Sequence, residues 1–253
     1  MNKKLLRSRI ISITMLIVIP MFLIQILPAI ICHFGMNILP ATILSSCITI
    51  LFSLVFVRKT VKEPISFNTP KPVVVVVSVI VTLLFLAIDQ TLVLWIGAHI
   101  PDAGMEARAA TIGSIDLERY WMLYLFYGIV LAPVAEECLF RITLYRYLKK
   151  SFSWMAALVM SSIMFGFIHM TIAHLVTGTL FAMLLTLIME RTKCVWITIV
   201  CHIAYNLGTL FVSGNEMALL AGNTVITILL FFAVLFLLCV GMVKQDVRMN
   251  HTK

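Results

Sequence analysis

At 253 residues the chain could form one or two soluble domains, but 62% of it is hydrophobic and only 12% charged, where ordinary soluble domains carry about 25% charge. With a mean hydropathy of +1.08, that composition excludes a water-soluble fold. The net charge of +8 then reads as membrane topology and attraction to anionic lipid; no nucleic-acid partner is expected.

Apolar runs recur along the whole chain, with no polar block between them large enough for a second domain. The expected fold is all-α: a single integral membrane domain over residues 1–253, a polytopic bundle of about eight transmembrane helices. A bilayer core of about 30 Å needs about 20 apolar residues per helix. Runs near that length occur at 10–31, 38–57, 73–96, 120–148, 152–170, 173–189, 195–212 and 224–243. The first follows Lys3, Lys4, Arg7 and Arg9, as a signal peptide would. It is longer than a signal core of about 7–15 residues and ends without a small-x-small cleavage pattern, so it reads as a retained span.

Between the second and third runs, Pro64, Pro70 and Pro72 forbid a continuous helix. After the third run comes an acidic loop with Asp102, Glu106, Asp116 and Glu118 beside Arg108 and Arg119. All other lysines and arginines except Arg141 fall in segments that eight spans put on the opposite face. By the positive-inside rule both termini are expected in the cytoplasm and the acidic loop outside. The cysteines form no CxxC pair and lie in or beside apolar runs, as small packing residues do. Trp95, Trp121, Trp154 and Trp196 fall near span ends, where aromatic belts put them.

Chemistry is concentrated in the fourth, fifth and seventh runs. Glu136 and Glu137 stand side by side in an otherwise apolar stretch, with Arg141 one helical turn beyond Glu137. Each ionisable group at membrane depth costs about 2.5–3.5 kcal/mol on insertion scales, so a pair there marks a functional site. The fifth run ends with Phe165 and His169, and the seventh contains His202 and Asn206, each pair four apart and so on one helical face. Polar side chains on one stripe of an embedded helix turn inward, toward a common cavity. Glu136 and His169 lie equally far from the turn between the fourth and fifth runs. His202 is nearer its own end of the membrane, which brings it level only if that turn protrudes.

A carboxylate and a neutral imidazole can deprotonate water for attack on a carbonyl, and neighbouring donors can stabilise the resulting oxyanion. Two histidines and a carboxylate could also hold zinc, on Glu136, His169 and His202. The chain has no HExxH and no Gly-x-Ser-x-Gly. Asn206 is a poor zinc ligand, so the sequence favours a site without a cofactor, with zinc as the alternative. His174, five residues from His169, reads as an interfacial histidine. Asp89 reads equally as a cavity residue or as one paired with a neighbour.

The order Glu-Glu-x-x-x-Arg, Phe-x-x-x-His and His-x-x-x-Asn, on successive intramembrane helices, resembles the CAAX protease and bacteriocin-processing family of intramembrane endopeptidases, also called the Abi family. The resemblance spans about residues 120–212, the expected catalytic core. It implies that Glu136 activates water with His169 as its partner, and that His202 and Asn206 stabilise the oxyanion. Glu137, Arg141 and Phe165 are the implied supporting residues. Gly often follows the family's arginine; Ile142 stands there here. The implied substrate is a hydrophobic peptide or membrane-protein precursor, met within the lipid bilayer in a bacterial cytoplasmic membrane, in peptide-signal processing or bacteriocin self-immunity. A membrane protein that binds, transports or confers immunity to a peptide without cutting it is the alternative.

Overall fold

A computed structural model of the protein describes residues 3–61, 70–212 and 232; among them there is no strand, and residues 3–209 form eight helices. Helix α1 runs without a break through Lys3–Pro20, Met21–Ile26 and Leu27–His33. It is followed by α2 (Ile38–Thr60), α3 (Pro72–His99) and a short α4 (Ala103–Gly113). Next come α5 (Leu117–Leu148), α6 (Trp154–Phe167), α7 (Ile172–Thr192) and α8 (Val195–Thr209). Five of these, α1, α2, α3, α5 and α7, are long and apolar enough to cross a membrane, which makes this an integral membrane protein. The run expected at 224–243 lies outside the described residues.

Two sequence expectations are modified. The acidic segment after α3 contains a helix, α4, because Asp102 caps its first turn by accepting from the Gly104 N–H at 3.1 Å. The fifth span was expected to reach Met170, but α6 stops at Phe167. There the chain tightens, with His169 N–H returning to Gly166 O and Met170 N–H to Phe167 O, and Met170 takes a left-handed φ of 57°. Thr171 then opens α7 by accepting from the His174 N–H at 3.0 Å. A helix cannot continue through such a turn, so His169 sits on a connection between helices.

The second half of α5 is the central post of the bundle. Every residue of Cys138–Tyr145 is buried, packed between α1, α2 and α6. An apolar helix buried on all sides is what the sequence Cys-Leu-Phe-Arg-Ile-Thr-Leu-Tyr demands once Arg141 has partners. Helices α6 and α7 pack closely as a hairpin: a Cβ on Gly166 would stand 2.5 Å from both Leu175 O and Thr179 Oγ1, and one on Gly178 3.2 Å from the Gly166 Cα. Only glycine allows that backbone approach, which fixes the turn carrying His169.

The question of levels is answered at the end of the bundle opposite α4. The Tyr145 hydroxyl and Lys149 Nζ both donate to Glu190 Oε1 at 2.8 Å, so α5 meets the end of α7 several residues before its own end. The rest of α5 and the following turn protrude, and Ser151 there contacts Ser8, Ser12 and Arg9 of α1. Tyr145 is eight residues past Glu137 and His202 seven past Val195, so at 1.5 Å per residue both travel about 11 Å inward and arrive level.

Asp102 also joins the two ends of the outer connection. Its other carboxylate oxygen accepts from Ile172 N–H at 2.7 Å and Ala173 N–H at 3.3 Å, at the start of α7. The sidedness remains an expectation from charge, and cysteine labelling tests it. Gly104 is unsuitable for a reporter, because its missing Cβ would collide with the Met170 carbonyl; Gly113 has open space around it. With Cys32 and Cys47 replaced, Gly113→Cys should react with an impermeant maleimide in intact cells, and Lys150→Cys only after permeabilisation. The reverse pattern would invert the topology.

Candidate active site

Helix α5 brings the two glutamates to the bundle centre and places them differently. The Glu137 side chain has no exposed surface, whereas Glu136 keeps 18% of its own. Glu137 Oε1 lies 2.8 Å from Arg141 Nη1, one turn along the same helix. The same oxygen accepts from His202 Nδ1, also at 2.8 Å, across to α8. A buried carboxylate is tolerated when charge and hydrogen bonds compensate it, and here a guanidinium and an imidazole do so. Arg141 is held in turn: its guanidinium carbon stands 4.7 Å over the Phe165 ring and Nη2 reaches toward Ala182 O at 3.4 Å.

Because Nδ1 of His202 faces a carboxylate, which only accepts, that nitrogen carries a proton. Nε2 is therefore the nitrogen free to work, and it lies 3.7 Å from Glu136 Oε2. That is longer than a direct hydrogen bond and leaves the two groups facing each other across a narrow gap. His202 thus spans both glutamates.

His169, from the α6–α7 turn, presents its Nδ1 to Phe165 O at 2.8 Å. A carbonyl only accepts, so Nδ1 carries the proton and Nε2 is an acceptor. The Phe165 ring stands beside both imidazoles, 5.1 Å from His169 and 5.9 Å from His202 between ring centres. Phe165 is thus the shared wall of the site, as well as the surface on which Arg141 rests.

Asn206 is placed by a defect in the α5 backbone. Over Tyr127–Leu131 the helix widens, and Ala132 N–H returns to Tyr127 O, five residues back. On that pattern the Gly128 carbonyl would look to residue 133, which is proline and has no N–H. Asn206 Nδ2 supplies the missing donor at 2.7 Å. One of the two amide hydrogens is thereby committed to structure and the second stays available.

Two participants were not evident from sequence. His174 stacks on His169, with ring centres 5.8 Å apart and planes 11° from parallel, and its Nδ1 is 2.7 Å from Thr171 Oγ1. Helical spacing could not reveal the contact, because the chain turns between the two residues. Tyr127, on the widened stretch before Glu136, lines a cavity beside that glutamate together with hydroxyls of α2. Asp89 settles as a paired residue: it is buried on α3 and accepts from Gln90 Nε2 at 3.1 Å, with Tyr205 and Thr177 also in reach. Among the described residues, no three His, Cys, Asp or Glu side chains gather closely enough to hold one metal ion. Glu136, His169 and His202 as arranged do not form such a group.

Residues 118–208, the stretch from the start of α5 almost to the end of α8, match the family described as type II CAAX prenyl endopeptidase Rce1-like. The chain is also similar to "Putative membrane peptidase YdiL" of Bacillus subtilis (strain 168), 26% identical over 96 residues. That stretch is 38% of this chain and 39% of the relative, so well under half of either is covered. No solved structure matches. The family match falls on the helices that carry the site, α5 to α8.

Arg141→Ala should destabilise the protein by about 3–5 kcal/mol, because it strands the Glu137 carboxylate in the core. A thermal midpoint close to that of wild type in detergent would show the ion pair to be dispensable. Asn206→Leu should cost about 1–3 kcal/mol by orphaning the Gly128 carbonyl. In a Pro133→Ala background, where the backbone can supply its own donor, the same change should cost distinctly less; equal losses in both backgrounds would refute the proline account.

Proposed function

We propose that the protein is an intramembrane endopeptidase that cleaves a peptide bond in a hydrophobic peptide or membrane-protein precursor by direct attack of an activated water. The observation that carries this reading is the His202 imidazole, proton-fixed by Glu137 on one nitrogen and facing the partly exposed Glu136 with the other. The match of the α5–α8 segment to type II CAAX prenyl endopeptidases supports the same chemistry. A bacterial relative named as a membrane peptidase supports a bacterial membrane as the setting; peptide-signal processing or bacteriocin self-immunity is the role proposed.

In this mechanism Glu136 takes a proton from water, assisted by the acceptor nitrogen Nε2 of His169. The hydroxide oxygen bonds to the scissile carbonyl carbon, whose π electrons move to oxygen. His202, protonated at Nε2 and balanced by the Glu137 carboxylate, donates to that oxyanion, and the second Asn206 hydrogen can join it. Collapse re-forms the carbonyl and breaks the C–N bond, while Glu136 returns its proton to the departing amine. Arg141 keeps Glu137 ionised through the cycle, and Phe165 keeps the two imidazoles apart. No step is routed through a metal, since zinc on Glu136, His169 and His202 would need those three side chains to draw together.

The test uses purified protein in lipid nanodiscs and a library of apolar, internally quenched peptides. Glu136→Gln keeps the shape and removes the base, so turnover should fall by at least about 10²-fold, and His169→Ala and His202→Ala should be comparably inactive. A Glu136→Gln variant that cuts like wild type would overturn the assignment, and one that retains the cellular phenotype would favour a binding or transport role. Activity is expected to persist after chelation; stoichiometric zinc, lost and regained together with activity, would replace the metal-free version while leaving the peptidase intact.

A further inference from the structure

Between Glu136 and helices α1 and α2 lies a cavity of about 30 Å³ that the mechanism above does not use. Its walls come from three helices: Leu23, Ile24 and Pro28 of α1; Thr42, Ser45, Ser46 and Thr49 of α2; and Tyr127 and Glu136 of α5 among them. Five hydroxyl-bearing residues and a carboxylate around so small a space, in a chain that is otherwise so apolar, call for an occupant.

Two of the helices that border the cavity depart from regular geometry there. In α1 the stretch Met21–Ile26 widens, with Leu27 N–H returning to Phe22 O, five residues back. The next carbonyl in that pattern, Leu23 O, looks to Pro28, which has no N–H, and the Ser45 hydroxyl of α2 donates to it instead. In α5 the widened stretch Tyr127–Leu131 precedes Pro133 in the same way. Both widened segments pack against α2, and residues of both helices line the cavity.

The inventory of hydrogens says what fits. Thr42 donates to Ile38 O and Leu39 O, Thr49 to Ser45 O, and Ser45 to Leu23 O, so their hydroxyl hydrogens are spent and only oxygen lone pairs face the space. The Glu136 carboxylate adds further acceptors. Tyr127, whose phenol is within reach of Thr42 and Ser46, and Ser46 itself bring O–H groups that can donate. Mixed donors and acceptors suit a small neutral molecule that does both, and suit a bare cation poorly. A side chain of a substrate is too large. One water needs about 10–15 Å³ of accessible volume and two to four polar partners, so this cavity has room for one or two.

We propose that this pocket is a hydration site that holds the water consumed at Glu136 and lets the next one follow, entering from the face opposite the His202 side where the peptide is cut. The proposal rests on the peptidase reading for its purpose. It removes a difficulty of hydrolysis inside a bilayer: a hydrophobic substrate covering His202 and His169 would also block the approach of water from their side. Supply from behind the base means that substrate and water never compete for one entrance.

Radiolytic footprinting in H₂¹⁸O tests it, since hydroxyl radicals made at an ordered water label the side chains beside it. In nanodisc-embedded protein, Ile24, Pro28 and Tyr127 should take up ¹⁸O several-fold more than lipid-facing Phe22 and Leu51. In Thr42→Val/Thr49→Val, which preserves shape and removes lone pairs, the label should fall to the lipid-facing level while the thermal midpoint changes little. On peptides that wild type cuts, kcat should drop by about tenfold with KM unchanged, the pattern of a lost step after substrate binding. No excess label in wild type, or a double variant that loses the label yet keeps its kcat, would overturn the proposal. Glu136→Gln should keep the Ile24 and Pro28 label without turnover, so the labelling and the peptidase reading can fail separately.

Discussion

The arrangement depends on one buried carboxylate. Glu137 is fully enclosed, and its Oε1 is met at 2.8 Å by a guanidinium nitrogen from its own helix and at 2.8 Å by an imidazole nitrogen from α8. In a low-dielectric interior an ionised carboxylate cannot persist without such partners, and neither can Arg141. Each group is therefore the reason the others are tolerable. The triad also ties α5 to α8, fixes which nitrogen of His202 carries the proton, and leaves the other nitrogen facing Glu136. Without it, the histidine has no defined tautomer and α8 no polar reason to sit at that depth.

The same intolerance of unmet polar groups explains the irregular helices. Within a bilayer a backbone carbonyl has no water to turn to, so a proline that removes a donor has to be answered by a neighbour. Twice here the answer is a side chain on another helix: Ser45 for the carbonyl left by Pro28 and Asn206 for the one left by Pro133. Each local failure becomes a specific tie between helices. The tie through Asn206 lands one turn from His202, so the backbone defect and the ion triad position the same face of α8.

How much of this could be read from the chain depends on whether helical period persists. Glu137 and Arg141 are four apart, as are His202 and Asn206, and each pair could be assigned to one face of its helix from spacing alone. The burial of the glutamates followed from their apolar setting. The stacking of His174 on His169 was hidden, because the left-handed Met170 between them breaks the period on which spacing arguments rely. Tyr127 was hidden for a related reason: the widened turn of α5 rotates everything before it relative to Glu136, so its face could not be counted back. The level of His202 was legible as a conflict only, since the contact of Tyr145 with Glu190 joins residues 45 positions apart.

What separates the roles of two adjacent, chemically identical side chains is exposure. Neighbours on a helix point about 100° apart, so when one face is sealed in the core the next residue turns toward whatever lies at its edge. Glu137, sealed at 0% exposure, has its charge consumed by two partners and nothing left for a substrate. Glu136 keeps 18% of its surface, stands 3.7 Å from Nε2 of His202, the nitrogen that Glu137 leaves unengaged, and borders a hydroxyl-lined space on its other side. A carboxylate in that position has a donor in front, room for water behind and no fixed counter-charge bonded to it. Those are the conditions under which a carboxylate can accept a proton and give it back, and a single residue's step around the helix is enough to provide them beside a carboxylate that can do neither.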